Sequence, residues 1–561
     1  MDKQFFFERN LLALSSLNPG LCSRLSGAET TLNRYKFLES RSGEIVPALI
    51  DAAGRAHPLH SLIDPRREGE RLVSTINSEG FLIFPGLGGA YAAEAALERA
   101  GVCRVLVIDY DINGIAELLC SRDYISVLGD PRFCLMVDPS GEELETYILE
   151  NYQPVLSGGI RVLPLRGRTE FDGPRFQTAR EAVETALVKV SADYSVQAYF
   201  GTRWFSNIIR NLTNAGIQDS PFPPVRKAAI CAAGPSLDAQ IPLLAEQKKR
   251  DRAFIIAADT SLPSLLRAGL EPDAVVSIDC QHISYYHFMA GMPPHIPLFL
   301  DLASPPLLAS RSSRPLFFSG GHPLGVYISR RWRPIPLVDT SGANVTHACL
   351  SLAETLGAEA VVIYGADFSY PQGQVYSRGT YIYSYFANRQ SRLSPEESLF
   401  SAFLYRNPSL AKVPGEEAGT WYYETATLNR YRAMLETKAA GMEIPVQAAP
   451  GRGAPVQIRQ TRRGGFPRIL RLFAAGPERT SARSFLEEYR EGIKALPPLG
   501  ADSQSYLARL KENERAIFTT LLPQAAAIKR RTGAVKPGDI IEAVRDYCAG
   551  AIDKILAAKP G

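Results

Sequence analysis

Three short apolar runs are each followed by residues that handle anions and hydroxyl groups. Ala228–Ala232 leads into Gly234-Pro235-Ser236, Phe254–Ala258 into Asp259-Thr260-Ser261, and Ala274–Ile278 into Asp279. A glycine lets a phosphate approach the backbone. A proline pre-sets φ for the first turn of a helix, whose free N–H groups draw negative charge. No Gly-Lys-Ser/Thr follows Gly234 and no full G-x-G-x-x-G frame surrounds it, so the turn fits neither common phosphate-loop pattern. A glycine at a strand-to-helix turn is ordinary in an α/β protein. Asp259 and Asp279 are what turn three strand ends into a candidate ligand edge, because ligands of open parallel sheets bind beyond the carboxyl ends of the strands.

The elements that must position these residues follow from the spacing. The apolar runs alternate with helix-like segments, which predicts a β-α-β-α-β unit with parallel strands. The alternation continues through Pro297–Leu300, Pro315–Phe318 and Pro336–Val338, then Ser341-Gly342-Ala343-Asn344 opens a helix. In that helix Val345, Ala348, Cys349, Leu352, Ala353 and Leu356 share one face, and Gly357 stands at its end. Strand Ala360–Tyr364 delivers Gly365-Ala366-Asp367 to the same edge. The stretch from Pro371 to about Glu396 reads as an irregular lid. In it Tyr376, Arg378 and Tyr381 could stabilise a departing phosphate, the alternative being an inert surface loop.

A second α/β signal lies upstream. Strand Phe81–Phe84 runs into Gly86-Leu87-Gly88-Gly89, and strand Arg104–Ile108 ends in Asp109-Tyr110-Asp111. A glycine loop with an acid about 20 residues on holds adenosine cofactors in Rossmann-like domains and would suit S-adenosylmethionine. Nothing downstream supplies methyl-transfer chemistry, so a degenerate Rossmann-like core is the preferred reading. His57 and His60 read as surface residues.

The expected fold is α/β. A smaller N-terminal α/β domain (1–218) with a degenerate Rossmann-like core and a proline-rich linker (219–226) precede a Rossmann-like parallel-sheet domain (227–460). A helical domain (461–561) follows. Six arginines and no acid between 444 and 477 read as a solvated basic face. Net charge is only +4, which does not call for nucleic acid or a membrane surface. The eight cysteines form no C-x-x-C pair or Cys/His ligand spacing, which points to free thiols in a reducing compartment and to no metal site. No signal peptide or membrane-length apolar stretch is evident, so a cytoplasmic location is expected.

The segments ADTSLPSLLRAGLEPDAVVSIDCQ (258–281), SGANVTHACLSLAETLG (341–357), VVIYGADFSY (361–370) and FGTRWFSNIIRNL (200–212) closely resemble the motility-associated factor (Maf) family of flagellin glycosyltransferases. The resemblance covers all but roughly the last hundred residues. It implies transfer of a nonulosonic acid, a sialic-acid-like sugar, from a CMP-activated donor to Ser/Thr hydroxyls of flagellin, with no required cofactor. The central domain also resembles bacterial sialyltransferases. That likeness implies that Gly234, Pro235 and Ser236, with Ser341 and Gly342 and with Asp259 and Asp279, contact the nucleotide; Thr260, Asn344, Gly365 and Asp367, read at the same strand edge, complete the candidate site. Two aspartates stand where those enzymes have asparagines, and the lid histidine is missing, since no histidine follows His347. His347, His282 and Asp279 are the catalytic candidates left. The same module resembles archaeal 6-hydroxymethylpterin diphosphokinases, in which Asp259, Asp279 and Asp367 would suit magnesium and ATP. A third reading is a flagellin-binding assembly factor with an inert nucleotide site.

Overall fold

The computed structural model describes every residue except 1–2, 31–32, 75–79, 216–221, 460–475, 500–505, 508, 534–535 and 559–561. Part of the expected linker (219–221) and Arg462, Arg463, Arg468 and Arg471 of the arginine-rich stretch lie outside the described residues. The chain divides into two units. The first comprises Met1–Gly201, Leu496–Arg515 and Leu522–Arg545, and the second Thr202–Ala495, Ala516–Leu521 and Asp546–Gly561. This division differs from the sequence boundaries. The chain passes from one unit to the next inside helix Gly173–Ala215, and the C-terminal helices are shared between the units instead of forming a third. Both patterns follow from packing: apolar spacing predicts a helix, but not which sheet will cover its face.

The first unit begins with an antiparallel sheet of β1 (Tyr35–Glu39), β2 (Ile45–Ile50) and β3 (Ala56–Pro58). A parallel sheet follows, made of β4 (Gly80–Pro85), β5 (Val102–Asp109), β6 (Phe133–Val137) and β7 (Gly159–Val162) in the order β6-β5-β4-β7. Leu82, Phe84, Val105 and Val107 pack to one side of it, and Phe81, Ile83, Leu106 and Ile108 to the other. This is the alternation a sheet covered on both faces requires.

The second unit is built on seven parallel strands: β8 (Lys227–Cys231), β9 (Phe254–Ala258), β10 (Ala274–Ser277), β11 (Leu298–Asp301), β12 (Pro315–Phe318), β13 (Ala360–Tyr364) and β17 (Val446–Ala448). Their order is β12-β11-β10-β9-β8-β13-β17. The chain walks outward from β8 to β12, then returns to the other side of β8 with β13, so the switch point lies between β8 and β13. Pro336–Val338 does not become a strand: a single bridge joins Leu337 to Ser319, and Pro336 has no N–H to extend a ladder. A small antiparallel sheet of β14 (Tyr370–Pro371), β15 (Ala411–Pro414) and β16 (Trp421–Glu424) stands beside the edge, in the order β14-β16-β15. The expected irregular lid contains a helix, Tyr381–Ala387.

The segment FGTRWFSNIIRNL acquires a structural role here. Asn207 and Asn211 lie one helical turn apart on the buried face of helix Gly173–Ala215. The Asn207 amide donates to the carbonyls of Cys280 (3.1 Å) and Ala303 (2.8 Å). That of Asn211 donates to Leu302 and Ser304, each at 2.8 Å. Two side chains thus fix the loops that leave β10 and β11.

Candidate functional site

At the switch point, beyond the carboxyl ends of β8, β9 and β13, lies a cleft of about 220 Å³. Gly234, Thr260, the Gly365–Tyr370 turn, Tyr376 and Tyr431 line it. Asn344, Val345 and Thr346 line it as well. These last residues are the N-cap and the first turn of helix Val345–Thr355, so the helix starts at the cleft, a position that favours an anion. The sequence singled out Gly234, Thr260, Asn344, Gly365, Asp367 and Tyr376 for this edge, and the structure brings them together. It did not single out Thr346, Leu428 or Tyr431. Leu428 and Tyr431 come from helix Ala426–Gly441, about sixty residues further along, and no local pattern marks them.

The Gly234-Pro235-Ser236 turn is held by its own chain. The Ser236 amide donates to Asp367 Oδ2 (2.8 Å), the Ser236 hydroxyl to Asp367 Oδ1 (2.5 Å), and the Gly453 amide to Oδ1 as well (3.0 Å). The Ser236 hydroxyl in turn accepts from the Arg452 amide at 2.7 Å, while the Arg452 guanidinium reaches the Pro235 carbonyl at 3.3 Å. Ser236 and Asp367 are buried and bonded to each other; Asp367 lines the cleft and Ser236 does not. A Cβ on Gly234 would lie 2.4 Å from both the Gly365 carbonyl and Asp367 Oδ2, so the protein itself requires this glycine. Gly365 (φ +66°) lies in the left-handed region that favours glycine. Burial raises the Asp367 carboxyl above the usual range in spite of its three donors.

The other strand-end aspartates are also engaged. Asp259 accepts from the Thr260 amide (2.7 Å) and hydroxyl (3.1 Å) and from the Ser277 hydroxyl (2.6 Å). Asp279 accepts from the Gln281 amide at 2.9 Å, and burial, then the nearby Asp259 charge, raises its carboxyl. Neither lines the cleft. Among the described residues no three His, Cys, Asp or Glu side chains converge as metal ligands would. The donor set around these aspartates suits hydroxyl and amide partners better than a hard cation, which needs several free oxygens.

Several expected residues fall elsewhere. His347 is buried beneath the Gly342 turn, where a glycine Cβ would meet its ring at 2.2 Å, and burial lowers its pKa. Ser341 is exposed, its amide bonded to Asp339 Oδ1 at 2.9 Å, and neither Ser341 nor Gly342 lines the cleft. His282 and Arg378 are exposed, with the Arg378 amide capping Asp238 at 3.0 Å. Tyr381 packs edge-on against His287, ring centroids 4.8 Å apart.

His287 is the histidine that sequence reasoning passed over. It sits on the short helix His282–Phe288 after β10, 9% exposed, with Nε2 3.4 Å from Thr260 Oγ1 and Nδ1 without a partner among the described residues. Its only signal was position, eight residues past Asp279, and only the turn of that helix brings it back to the edge.

In the first unit the glycine loop is filled from within. The Gly89 amide donates to His60 Nε2 (2.8 Å) and the Leu87 amide to Asp109 Oδ2 (3.1 Å). Asp109 is bound by Arg168 at 2.6 Å, both fully buried, so the acid that would hold a ribose is taken. Asp111 caps helix Ile112–Leu119 and pairs with Arg34 at 2.7 Å. His60, read as a surface residue, is buried as the plug of this loop.

Comparison with known proteins fits this architecture. Residues 203–373 match the family model described as 6-hydroxymethylpterin diphosphokinase MptE-like. The structure of a Maf glycosyltransferase from Magnetospirillum magneticum AMB-1 superposes with TM-score 0.59 over 99% of this chain and 95% of that one, at 13% identity. The resemblance to Maf proteins read from the sequence therefore holds at the level of fold across the chain, and the likeness to the diphosphokinase module holds in its central part. Two uncharacterized proteins of Treponema pallidum (strain Nichols) are 32% and 36% identical over 174 and 141 residues, which are 30% and 25% of this chain. The chain spans 60% and 66% of those relatives' length. Among the described residues no helix is long and apolar enough to cross a membrane.

Proposed function

We propose that the second unit is a glycosyltransferase that takes a CMP-activated nonulosonic acid as donor and Ser/Thr hydroxyls of flagellin as acceptor. The observation that carries this reading is the cleft at the β8/β13 switch point, lined by the start of a helix and by two glycine turns. The whole-chain likeness to a Maf glycosyltransferase fold supports it. The CMP phosphate faces the Asn344–Thr346 turn, and Tyr376, whose hydroxyl burial holds firmly protonated, donates to the leaving phosphate. The acceptor oxygen bonds to the anomeric carbon, the bond from that carbon to the phosphate oxygen breaks, and the electron pair leaves with CMP. His287 takes the acceptor proton, the role the lid histidine would otherwise fill.

A second reading, a magnesium-dependent diphosphokinase acting on ATP and a hydroxymethylpterin, is favoured by the family-model match over 203–373. The commitment of Asp259 and Asp367 to hydroxyl and amide donors weighs against it.

Calorimetry with CMP in EDTA, followed by mass spectrometry of flagellin incubated with a CMP-nonulosonic acid, tests the proposal. CMP binding that survives the chelator and a mass gain of one sugar residue are expected. The variant His287→Gln should lose roughly 10²–10⁴-fold in transfer rate with CMP affinity nearly unchanged. Binding that needs magnesium and prefers ATP would replace the glycosyltransferase with the diphosphokinase. Capture of flagellin without sugar transfer would leave an assembly factor.

A further inference from the structure

A cavity so far unexplained lies in the first unit, about 380 Å³ in volume and apolar over most of its wall. Its place is set by topology. The chain runs β4, β5, β6 in one direction and then sets β7 on the other side of β4, so the switch point of this sheet lies between β4 and β7. The cavity opens there: Phe84, Gly86 and Leu87 come from the end of β4, and Leu163–Gly167 from the chain just past β7. Open α/β sheets bind ligands in such a crevice, and this volume falls within the range of small-molecule sites.

The chemistry excludes the usual occupant. A dinucleotide or S-adenosylmethionine needs free N–H groups in the glycine loop and a free acid at the end of the second strand. Here the Gly86 amide donates to the Ile108 carbonyl (2.7 Å), the Leu87 amide to Asp109, and the Gly89 amide to His60. Asp109 also accepts from the Tyr110 amide (2.8 Å) and is held by Arg168. Of the charged side chains on the wall, Glu68 accepts from the Ser61 amide (2.8 Å) and faces His60 Nδ1 at 3.6 Å. Arg166 is exposed at the cavity and makes no ion pair with a described residue.

We propose that this cavity binds a compact apolar molecule bearing one anionic group, with the aliphatic or aromatic body between Phe84, Leu72 and Leu165 and the anion at Arg166. A phosphate-rich nucleotide would meet loop amides already bonded within the chain, and a cation would meet the Arg166 guanidinium. The assignment is independent of the activity proposed for the second unit.

Medium-chain carboxylates are the probe. Calorimetry on the full chain should show one saturable site for decanoate, with affinity rising roughly three- to fourfold per added methylene from hexanoate to decanoate. Arg166→Ser, a surface change, should weaken decanoate at least tenfold and leave 1-decanol unaffected. Ala92→Phe, which places a ring in the cavity, should abolish both. If that variant does not fold, Arg166→Ser decides alone. Absence of saturable binding, equal decanoate affinity in wild type and Arg166→Ser, or competition by S-adenosylmethionine would overturn the assignment.

Discussion

Replacing Asp367 with asparagine tests whether the Gly234 turn is held by its own chain, as the structure shows. The carboxylate receives three donors, the Ser236 amide, the Ser236 hydroxyl and the Gly453 amide, within 2.5–3.0 Å. In asparagine one oxygen can still accept from the Ser236 hydroxyl and the Gly453 amide. The new NH₂ then faces the Ser236 amide, donor against donor. One charge-assisted hydrogen bond, worth ~1.5–3 kcal/mol, is lost, and the two that remain become neutral and weaken by roughly 1 kcal/mol each. Against this, the variant no longer buries a charge, the penalty that raises the Asp367 carboxyl in the native protein. The net expectation is a loss of about 2–4 kcal/mol. At about 2 °C per kcal/mol for a unit of this size, the midpoint of thermal unfolding should fall by roughly 4–8 °C. CMP affinity should fall with it, because Gly234 and Asp367 line the cleft. Differential scanning calorimetry and CMP titration on the same samples read both quantities. An unchanged midpoint would refute the view that Asp367 anchors the loop. A lower midpoint with unchanged CMP affinity would separate the turn from the binding site.

Two further outcomes follow from buried groups in the second unit. Asp301, buried at the end of β11, has its carboxyl pushed up to about 6 by desolvation, against partial relief from the Ala303 and Gly320 amides. A carboxyl raised on folding binds its proton more tightly in the native state, so stability should fall as pH rises from about 4 to 6 by ~3 kcal/mol at most. Asp301→Asn should flatten that slope in urea titrations across this window. Asn211→Leu removes both hydrogen bonds to the Leu302 and Ser304 carbonyls and leaves these carbonyls buried, a cost of about 2–4 kcal/mol read from the urea midpoint. A change below 0.5 kcal/mol would show that the asparagine clamp does not hold the β11 loop.

The amino-acid sequence by itself determined the parallel sheets and the polar turns at their carboxyl edges. Apolar runs such as Phe254–Ala258 and Pro315–Phe318 are strands with the bounds their residues predict, because a strand buried on both faces has no other way to satisfy four or five apolar side chains in succession. Gly234, Thr260 and Gly365 were legible at the edge for the same reason, since a strand end and its turn are local. What each polar side chain does there was not local. Ser236 and Asp367 are 131 residues apart, and Gly453 lies 86 beyond Asp367, so their union could not be read from spacing. His287 and His347 have similar credentials as sequence. Only the fold seals one under the Gly342 turn and sets the other beside Thr260 and Tyr381. The glycine loop of the first unit carries a cofactor-like pattern, yet His60, brought from upstream, accepts from its Gly89 amide and Arg168, from downstream, pairs with its acid. A motif specifies what a backbone can offer a ligand. Which partner takes the offer is decided by the side chains that tertiary packing places within hydrogen-bond reach.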